Sequence, residues 1–241
     1  MPPFYARDLA HVHDVGFGEF ARDAAPGLLR RLRRAGVRGG LVVDLGCGSG
    51  IWARALLDAG YEVLGVDVSP ALLAIARRRA PEARFVRGSA YDVELPACAA
   101  VTALGEVLNY APPARGLPRL LRRVRAALGP GGLLVFDVAG PGRQRAAARR
   151  AWHQGDDWVL CLDAAENRKR AELTRRITVF RRSGRSWRRS DEVHVLRLLD
   201  PAAVRAELRR AGFDAEMLRG YGRRPRFPAG WSGFAARPAV G

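Results

Sequence analysis

The stretch that decides the fold is Val42-Val43-Asp44-Leu45-Gly46-Cys47-Gly48-Ser49-Gly50. A short apolar run leads into three glycines at alternate positions, and helical spacing resumes at Ile51. The run predicts a buried parallel strand, and Gly46 and Gly48 permit positive φ and close backbone approach to a ligand in the turn that follows. The G-x-G-x-G spacing differs from the G-x-G-x-x-G of dinucleotide-binding folds, and the Gly-Lys-Ser/Thr of a P-loop is missing.

Strand and helix patterns alternate on both sides of this turn. Strands are predicted at 41–45, 62–66, 83–87, 99–104 and 132–138, and helices at 19–35, 51–59, 69–79, 117–128 and 201–212, with Ser69 as a helix N-cap. A final strand pair is predicted at 213–220 and 231–237. The alternation predicts an α/β fold with a Rossmann-like, doubly wound, mostly parallel seven-stranded sheet.

The segment between 141 and 198 breaks this alternation. Runs at 157–163, 172–180 and 188–198 are β-rich and separated by polar turns, which predicts three antiparallel strands. We therefore expect an N-terminal helical cap at 1–36, a main domain at 37–140 and 199–241, and an antiparallel β insertion at 141–198 that forms a lid over the carboxyl edge of the sheet.

The composition narrows the class of protein. Apolar residues make up 48% and charged residues 27% of the 241 residues, which is enough to bury a core. The 41 basic residues against 24 acidic ones give a net charge of +17. Lys169 is the only lysine and the arginines are spread along the chain, which favours a GC-rich codon bias, with an RNA or other anionic partner as the alternative.

Cysteine usage and hydropathy point to a cytoplasmic protein. The three cysteines form no CxxC pair, which argues against a disulfide framework and a cysteine-ligated zinc site, and no His/Cys/acid cluster has metal-ligand spacing. No apolar run is long enough to cross a bilayer, and the first 17 residues are too polar for a signal peptide.

Asp67 is the second informative residue. It ends the second predicted strand, 21 positions after Gly46. In a doubly wound fold an acid there lies across the crevice from the glycine turn and can accept both hydrogen bonds of a ribose diol. Taken alone, an aspartate after a strand is often a helix cap, and a glycine-rich turn is often only a turn. The conjunction of both acids, both strands, the turn and its helix favours a cofactor site.

These residues together resemble the class I S-adenosylmethionine-dependent methyltransferases. Asp44–Gly50 is similar to that family's glycine motif and Val66–Ser69 to its acidic motif, and the likeness continues through 85–92, 104–110 and 129–136. The resemblance implies S-adenosylmethionine as cofactor and S-adenosylhomocysteine as product. It implies as cofactor-binding residues Asp44, Gly46, Cys47, Gly48, Ser49, Gly50, Asp67, Val68, Leu72, Ser89, Ala90, Leu104 and Gly105.

The resemblance also implies which segment of the chain contacts each part of the cofactor. The turn from Gly46 to Gly50 would wrap the methionine part, and Asp67 would hold the ribose. Val68 and Leu72 would pack on the adenine, whose edge Ser89 and Ala90 would contact. Leu104 and Gly105 would meet the amino acid end. Many family members carry an acid where Ser89 stands, so a weaker or backbone-only contact to the adenine amino group is expected.

The acceptor side carries fewer signals. The Asp/Asn-Pro-Pro-aromatic motif of enzymes that act on amino groups in nucleic acids is replaced by Leu104-Gly105-Glu106-Val107. The plan of cap and β insertion resembles the small-molecule N- and O-methyltransferases. We expect methyl transfer to nitrogen or oxygen of a metabolite or natural product by in-line displacement, with no membrane, no specific nucleic acid and a possible homodimer. The alternatives are an RNA methyltransferase and a non-catalytic cofactor-binding scaffold.

Two residues are candidates for catalysis. Glu106 follows the fourth strand and could orient a cationic amine or cap the next helix. His194 shares a strand face with Glu192 and could accept a proton, or only satisfy a polar surface. A dedicated base need not exist, because much of the acceleration can come from holding the acceptor and the methyl group in line in a dry site.

The N-terminal cap and one tyrosine are candidates for the acceptor pocket. His13 and Phe17 are four residues apart and would share a helix face that touches cofactor and acceptor, or one that only packs as ordinary core. Tyr110 could line the same pocket.

Overall fold

The computed structural model describes residues 4–110, 116–144, 148–222 and 226–239. Within these ranges the helices are α1 (Arg7–Phe17), α2 (Glu19–Arg34), α3 (Ile51–Asp58), α4 (Pro70–Arg79), α5 (Gly116–Ala127) and α6 (Pro201–Arg210), with a 3-10 helix at Val107–Tyr110. The strands of the larger sheet are β1 (Leu41–Leu45), β2 (Glu62–Asp67), β3 (Arg84–Arg87), β4 (Cys98–Ala103), β5 (Leu128–Ala139), β10 (Phe213–Leu218) and β11 (Trp231–Pro238).

The larger sheet has seven strands in the order β10-β11-β5-β4-β1-β2-β3. The strands from β5 to β3 run parallel, and β11 lies antiparallel between β5 and β10. This confirms the predicted doubly wound, mostly parallel sheet. The alternation of strands and helices identified it because each crossover helix must cover a face of the sheet.

Strand β1 shows how the sheet is buried on both faces. Val43 and Leu45 belong to one hydrophobic cluster, whereas Val42 belongs to another on the opposite face. Successive side chains of a strand point to opposite faces, so apolar side chains are required on both faces here, and the one polar residue of the strand, Asp44, is buried with a hydrogen-bond partner. At the next crossover, the predicted cap of α4 is confirmed, because the Ser69 hydroxyl accepts a hydrogen bond from the Leu72 N–H at 3.1 Å.

The insertion forms a separate antiparallel sheet of four strands, not the three predicted. Its order is β6 (Ala148–Gln154), β7 (Trp158–Asn167), β8 (Glu172–Ser183) and β9 (Ser186–Arg197). The additional strand β6 is an edge strand with the sequence ARRAWHQ, which lacks a continuous apolar alternation. Its pairing with β7, for example Trp152 opposite Cys161, therefore had no periodic signal in the sequence.

The two N-terminal helices pack on different parts of the molecule. Leu28 and Leu32 of α2 lie in the same cluster as Val42 under the larger sheet. Leu9 and Val12 of α1 pack instead against the insertion. Of the two N-terminal helices, α1 therefore packs on the lid and α2 on the larger sheet. The division of the chain into three domains stays a prediction. In the described residues, no helix combines the length and apolar character needed to cross a membrane.

Candidate functional site

The site lies where the order of the parallel strands reverses. From β1 the chain continues to β2 on one side, whereas its other neighbour, β4, is followed by β5 on the far side. The loops after β1 and β4 therefore diverge and leave a crevice at the carboxyl edge of the sheet, the usual ligand position in open α/β sheets.

The glycine turn after β1 borders this crevice. The N–H groups of Gly46 and Cys47 donate to the Val66 carbonyl at 2.7 and 3.0 Å, which anchors the turn to β2. Gly48 has φ +55°, and a Cβ added to it would meet no atom of the other described residues within 4 Å, apart from its two chain neighbours. The backbone at Gly48 thus faces open space, as a surface that supports a ligand requires.

Asp67 joins the glycine turn to the end of β2. Its Oδ2 accepts the Gly48 N–H at 2.9 Å and its Oδ1 accepts the Ser69 N–H at 2.8 Å. Burial raises the pKa of Asp67, although these backbone hydrogen bonds oppose the shift. Because a carboxylate oxygen can accept more than one hydrogen bond, both oxygens keep capacity for a ligand hydroxyl.

Asp44 and Cys47 lie behind the turn. Asp44 is 2% exposed and accepts a hydrogen bond from the Thr102 hydroxyl at 2.7 Å, linking β1 to β4. Burial raises the pKa of Asp44 to about 7. Burial also raises the pKa of the Cys47 thiol well above its ordinary value. These two side chains support the turn from beneath, and the Cys47 thiol is not activated as a nucleophile.

The residues expected to contact the adenine of the cofactor differ in how much of each side chain is exposed. Val68 is 41% exposed beside Asp67, whereas Leu72 is 2% exposed and already packed in the protein. Packing of Leu72 on an adenine therefore stays a prediction, and little of its surface is free for that contact. Ser89 uses its hydroxyl to accept the Tyr91 N–H at 3.1 Å, and Ala90 is half-buried.

The turn after β4 is held by Asp137, which sequence reasoning missed. Gly105 and Glu106 donate their N–H groups to its two oxygens at 2.8 and 2.6 Å, and the Tyr221 hydroxyl and Trp231 Nε1 donate as well. Burial raises the pKa of Asp137 to about 6. An acid between Phe136 and Val138 in an apolar strand was the available signal, because a buried acid must find donors.

Glu106 precedes the 3-10 helix and its backbone carbonyl accepts the Asn109 N–H at 3.0 Å, but its carboxylate is bound elsewhere. It is 3% exposed with φ +64°, and its two oxygens accept hydrogen bonds from Arg143 Nε and Arg175 Nη2. Burial alone would raise the pKa of Glu106, but the two guanidinium groups outweigh it and hold the pKa below its ordinary value. Both arginines come from the insertion side, so the contact ties β4 to the lid.

His194 is buried rather than part of a polar surface. It is 1% exposed, and its Nδ1 lies 3.0 Å from the Tyr110 hydroxyl while its Nε2 lies 2.9 Å from Glu192 Oε2. Tyr5, which sequence reasoning did not single out, packs edge-to-face on the His194 ring at 5.0 Å. The structure therefore brings two predicted residues, Tyr110 and His194, into one hydrogen-bonded chain.

His13 and Phe17 point to different neighbours. The His13 ring packs on Tyr5 at 4.9 Å, burial lowers its pKa to about 4, and its buried Nδ1 has no hydrogen-bond partner among the described residues. Phe17 packs against His153 and Trp158 of the lid sheet. His13 thus lies beside Tyr5, whereas Phe17 contributes to lid packing. In the described ranges, no three His, Cys, Asp or Glu side chains are grouped to hold a metal ion.

Comparison with known sequences identifies residues 42–132 as a match to the methyltransferase domain family. The dTDP-3-amino-3,6-dideoxy-alpha-D-glucopyranose N,N-dimethyltransferase of Streptomyces fradiae is 30% identical over 137 residues, which cover 55% of this chain and 54% of that protein. A ubiquinone biosynthesis O-methyltransferase of Alkalilimnicola ehrlichii is 34% identical over 111 residues, 43% of each chain. The chain spans about half the length of the curated relatives it matches.

Comparison with solved structures extends the likeness over nearly the whole chain. A S-adenosylmethionine-dependent methyltransferase from Clostridium acetobutylicum superimposes with a TM-score of 0.84 at 16% identity, covering 96% of this chain and 98% of that one. An amino pentose methyltransferase from Micromonospora echinaspora gives a TM-score of 0.78 at 22% identity, covering 95% and 96%. At these identities the likeness shows that the larger sheet and the insertion share this fold.

Proposed function

We propose that this chain, whose residues 42–132 form a methyltransferase domain, transfers a methyl group from S-adenosylmethionine to nitrogen or oxygen of a small-molecule acceptor. The observation that carries the proposal is the open space beside Gly48, bordered by the Asp67 carboxylate and the exposed Val68. A cradle that a Cβ would fill, an acid with spare acceptor capacity and an apolar surface suit a nucleoside with an attached amino acid.

The residues that would hold the cofactor are those at the crevice that keep an exposed backbone or side-chain surface. The turn from Gly46 to Gly50 would bind the methionine part, with Asp44 and Cys47 supporting it, and Asp67 would accept the ribose hydroxyls. Val68, Ser89 and Ala90 would surround the adenine. Gly105, whose backbone also faces open space at φ +86°, and Leu104 would border the amino acid end. Bound S-adenosylmethionine supplies a methyl group on a positively charged sulfur, which is a good leaving group.

The chain's own residues hold the acceptor in line and exclude water. Helix α1 and the lid sheet cover the carboxyl edge of the larger sheet, which makes the site drier and fixes the approach of the acceptor. His194, through Tyr110, takes the proton that the acceptor nitrogen or oxygen loses. The acceptor's lone pair forms the new bond to the methyl carbon as the carbon–sulfur pair returns to sulfur.

Glu106 serves in this proposal to position Arg143 and Arg175 at the rim of the site. Arg143 and Arg175 bring two guanidinium groups to the place where the loop after β4 meets the lid, against the carboxylates of Glu106 and, under the same loop, Asp137. Guanidinium groups bind anionic groups in a fixed geometry, and the relative from Streptomyces fradiae is named for an amino sugar that carries a nucleotide. We therefore propose an amino sugar as the acceptor class.

Two measurements test the proposal. Calorimetry with S-adenosylhomocysteine tests the cofactor site, with Asp67→Asn as the variant and Asp214→Asn as the control, because Asp214 is exposed on β10 away from the crevice. We expect Asp67→Asn alone to weaken binding. Absence of S-adenosylhomocysteine binding to the wild type would contradict the cofactor assignment.

The second measurement follows the labelled methyl group into a panel of acceptors. The panel holds nucleotide-linked amino sugars, free amino sugars, hydroxyl analogues and RNA, all at physiological salt. We expect label in the anionic amino sugars and none in RNA. Label in RNA would favour the RNA methyltransferase, and cofactor binding without label in any acceptor would favour the scaffold.

An arginine-lined cleft lies away from this site. A cleft of about 860 Å³ lies between α2 and the β10–β11 pair and is lined by Arg30, Arg34 and Arg237. Its lining includes no residue of the glycine turn or of the loop after β4. Dispersed surface charge produces weak, salt-sensitive attraction to polyanions. A cytoplasmic location and a homodimer stay predictions from the sequence.

A further inference from the structure

The carboxylate of Glu192, on the lid strand β9, binds two separate parts of the molecule. Its Oε2 accepts the Tyr5 N–H at 2.7 Å and its Oε1 accepts the Ala6 N–H at 2.8 Å. The same Oε2 lies 2.9 Å from His194 Nε2. One side chain therefore holds the segment before α1, about 186 residues away in sequence, and also the histidine of the site.

The same N-terminal segment is attached at its other side to the proposed cofactor loop. The Ser69 hydroxyl donates to the Tyr5 carbonyl at 2.7 Å, and the Ser69 N–H donates to Asp67 Oδ1 at 2.8 Å. We call residues 4–6 the strap, because they run between Glu192 of the lid and Ser69 of the loop after β2.

The backbone of the strap is strained in this position. Tyr5 has φ +51°, a left-handed conformation that is unfavourable for a residue with a Cβ. Such a conformation persists only where surrounding contacts offset its cost. Three hydrogen bonds at Tyr5 and Ala6, two to Glu192 and one from Ser69, do so here. Loss of either attachment is therefore expected to release the strap.

The same carboxylate selects which nitrogen of the neutral His194 ring carries the proton. An ionised carboxylate only accepts hydrogen bonds, so the neutral ring must carry its proton on Nε2 to bond Glu192. Nδ1 is then free to accept from the Tyr110 hydroxyl. The rings of Phe4 and Tyr5, both in the strap, pack edge-to-face on His194 at 5.1 and 5.0 Å and fix its plane.

We propose that Glu192 is a positioning residue that makes the proton-accepting tautomer of His194 depend on closure of the strap, an inference that rests on the function proposed above. With the strap closed, the Tyr110 oxygen takes the proton of the acceptor nitrogen while its own proton moves to His194 Nδ1. The imidazolium that results donates from Nε2 to Glu192. With the strap open, the rings of Phe4 and Tyr5 no longer fix the plane of His194, so the ring can turn away from Glu192 and sample both tautomers, and Tyr110 loses its fixed acceptor.

The tautomer is measured directly by ¹⁵N NMR of the histidine rings. The chain has four histidines, so each ring signal can be assigned by single substitution. We expect the Nε2–H form of His194 in the wild type. In Glu192→Gln the side-chain amide can donate to Nε2, so we expect the ring to invert to the Nδ1–H form. A His194 that stays in the Nε2–H form would overturn the proposal.

Glu166→Gln is the matched control. Glu166 also lies in the lid sheet and uses both carboxylate oxygens to hold backbone amides, those of Gly142 and Gln144. It has no contact with His194 among its hydrogen bonds. We expect the His194 tautomer to be unchanged in this variant. An inversion there as well would mean that the tautomer reports general disturbance of the lid and not the Glu192 contact.

The coupling itself is tested from the remote end of the strap with Ser69→Ala. This change removes both the hydrogen bond to the Tyr5 carbonyl and the N-cap of α4, and leaves Glu192 and His194 in place. We expect amide exchange at Tyr5 and Ala6 to rise about fivefold to tenfold, as loss of one hydrogen bond implies, and the fraction of the Nδ1–H tautomer of His194 to rise by the same factor. Faster exchange with an unchanged tautomer would overturn the coupling, and unchanged exchange would overturn the strap.

Comparison of kcat with the KM for S-adenosylmethionine distinguishes a positioning role of Glu192 from a purely structural one. In Glu192→Gln we expect kcat to fall at least ~10-fold with the KM for S-adenosylmethionine nearly unchanged, because general-base contributions of this kind are ~10²–10⁴-fold. Equal loss in kcat and cofactor affinity would contradict a positioning role. The NMR and exchange results require no acceptor, so their failure is distinguishable from failure of the proposed function, which calorimetry tests separately.

Discussion

The open space beside Gly48 makes a prediction with an internal control. Gly48 has φ +55° and Gly36, in the exposed turn after α2, has φ +85°, and an added Cβ would meet no protein atom within 4 Å at either position. Gly48→Ala and Gly36→Ala therefore impose the same kind of backbone strain without a clash inside the protein. They differ only in what lies, or would lie, in the space the new methyl group enters.

The strain can be estimated for both variants. A left-handed conformation costs an L-residue ~1–2 kcal/mol, and the loss of unfolded-chain freedom from glycine to alanine offsets ~0.4–1 kcal/mol. We expect each variant to lose about 1 kcal/mol of unfolding free energy in urea titrations. If the cofactor lies against the Gly48 backbone, the new methyl group should also weaken S-adenosylhomocysteine binding by at least ~1.4 kcal/mol, a factor of ten.

Calorimetry separates the two contributions. Gly36→Ala should bind S-adenosylhomocysteine as the wild type does, whereas Gly48→Ala should bind at least tenfold more weakly and Gly48→Val should not bind while its circular dichroism stays near native. Equal affinities of the two alanine variants would refute the placement of the cofactor at this turn. A Gly48 variant that is much less stable than its Gly36 counterpart would refute the assumption of open space.

Three further perturbations follow from the acids around the crevice. Asp67→Asn leaves either the Gly48 N–H or the Ser69 N–H without an acceptor and removes the charge proposed to hold the ribose. We expect urea titration to show an unfolding free energy lower by ~1–2 kcal/mol, and calorimetry to show an S-adenosylhomocysteine affinity lower by about tenfold or more. Unchanged values would contradict both roles. Asp44 has a folded pKa of about 7 against an ordinary value of 3.8, so between about pH 4 and 7 the folded protein holds a proton that the unfolded chain has released, and stability should fall as the pH rises through this window. Asp44→Asn should flatten that slope, and a slope equal to the wild type's would show that Asp44 is not its source. Glu106→Gln removes the charge that Arg143 and Arg175 share and should cost ~1–3 kcal/mol of unfolding free energy, whereas a neutral effect would mean that the arginines find other partners.

Several features of the site were predictable because their signals are local. The turn from Gly46 to Gly50 and Asp67 each stand at the end of an apolar strand, and the Ser69 cap needs only the N–H of Leu72 three residues further on. The alternation of periods 2 and 3.6 predicts the order of elements, and strand direction then predicts which loops share an edge. The seven-stranded sheet and its glycine turn were reached in this way.

Other features have no local signal. The 2% exposure of Leu72 is one of them, because burial of a helical side chain depends on how the helix packs. Strand β6 lacks the apolar alternation of its neighbours and is a strand only because β7 pairs with it. Asp137 was passed over because an acid inside a strand does not reveal which donors it meets.

What the sequence determined by itself is therefore the scaffold and the position of the glycine turn, since hydrophobic periodicity and glycine conformation act over a few residues. The hydrogen-bond and ion-pair partners of the polar side chains were decided by the tertiary structure. Glu106 lies 69 residues from Arg175, and Glu192 lies 187 residues from Tyr5. A hydrogen bond requires its atoms within about 3 Å, and no pattern along the chain specifies which distant side chains the packed lid, strap and sheet bring that close.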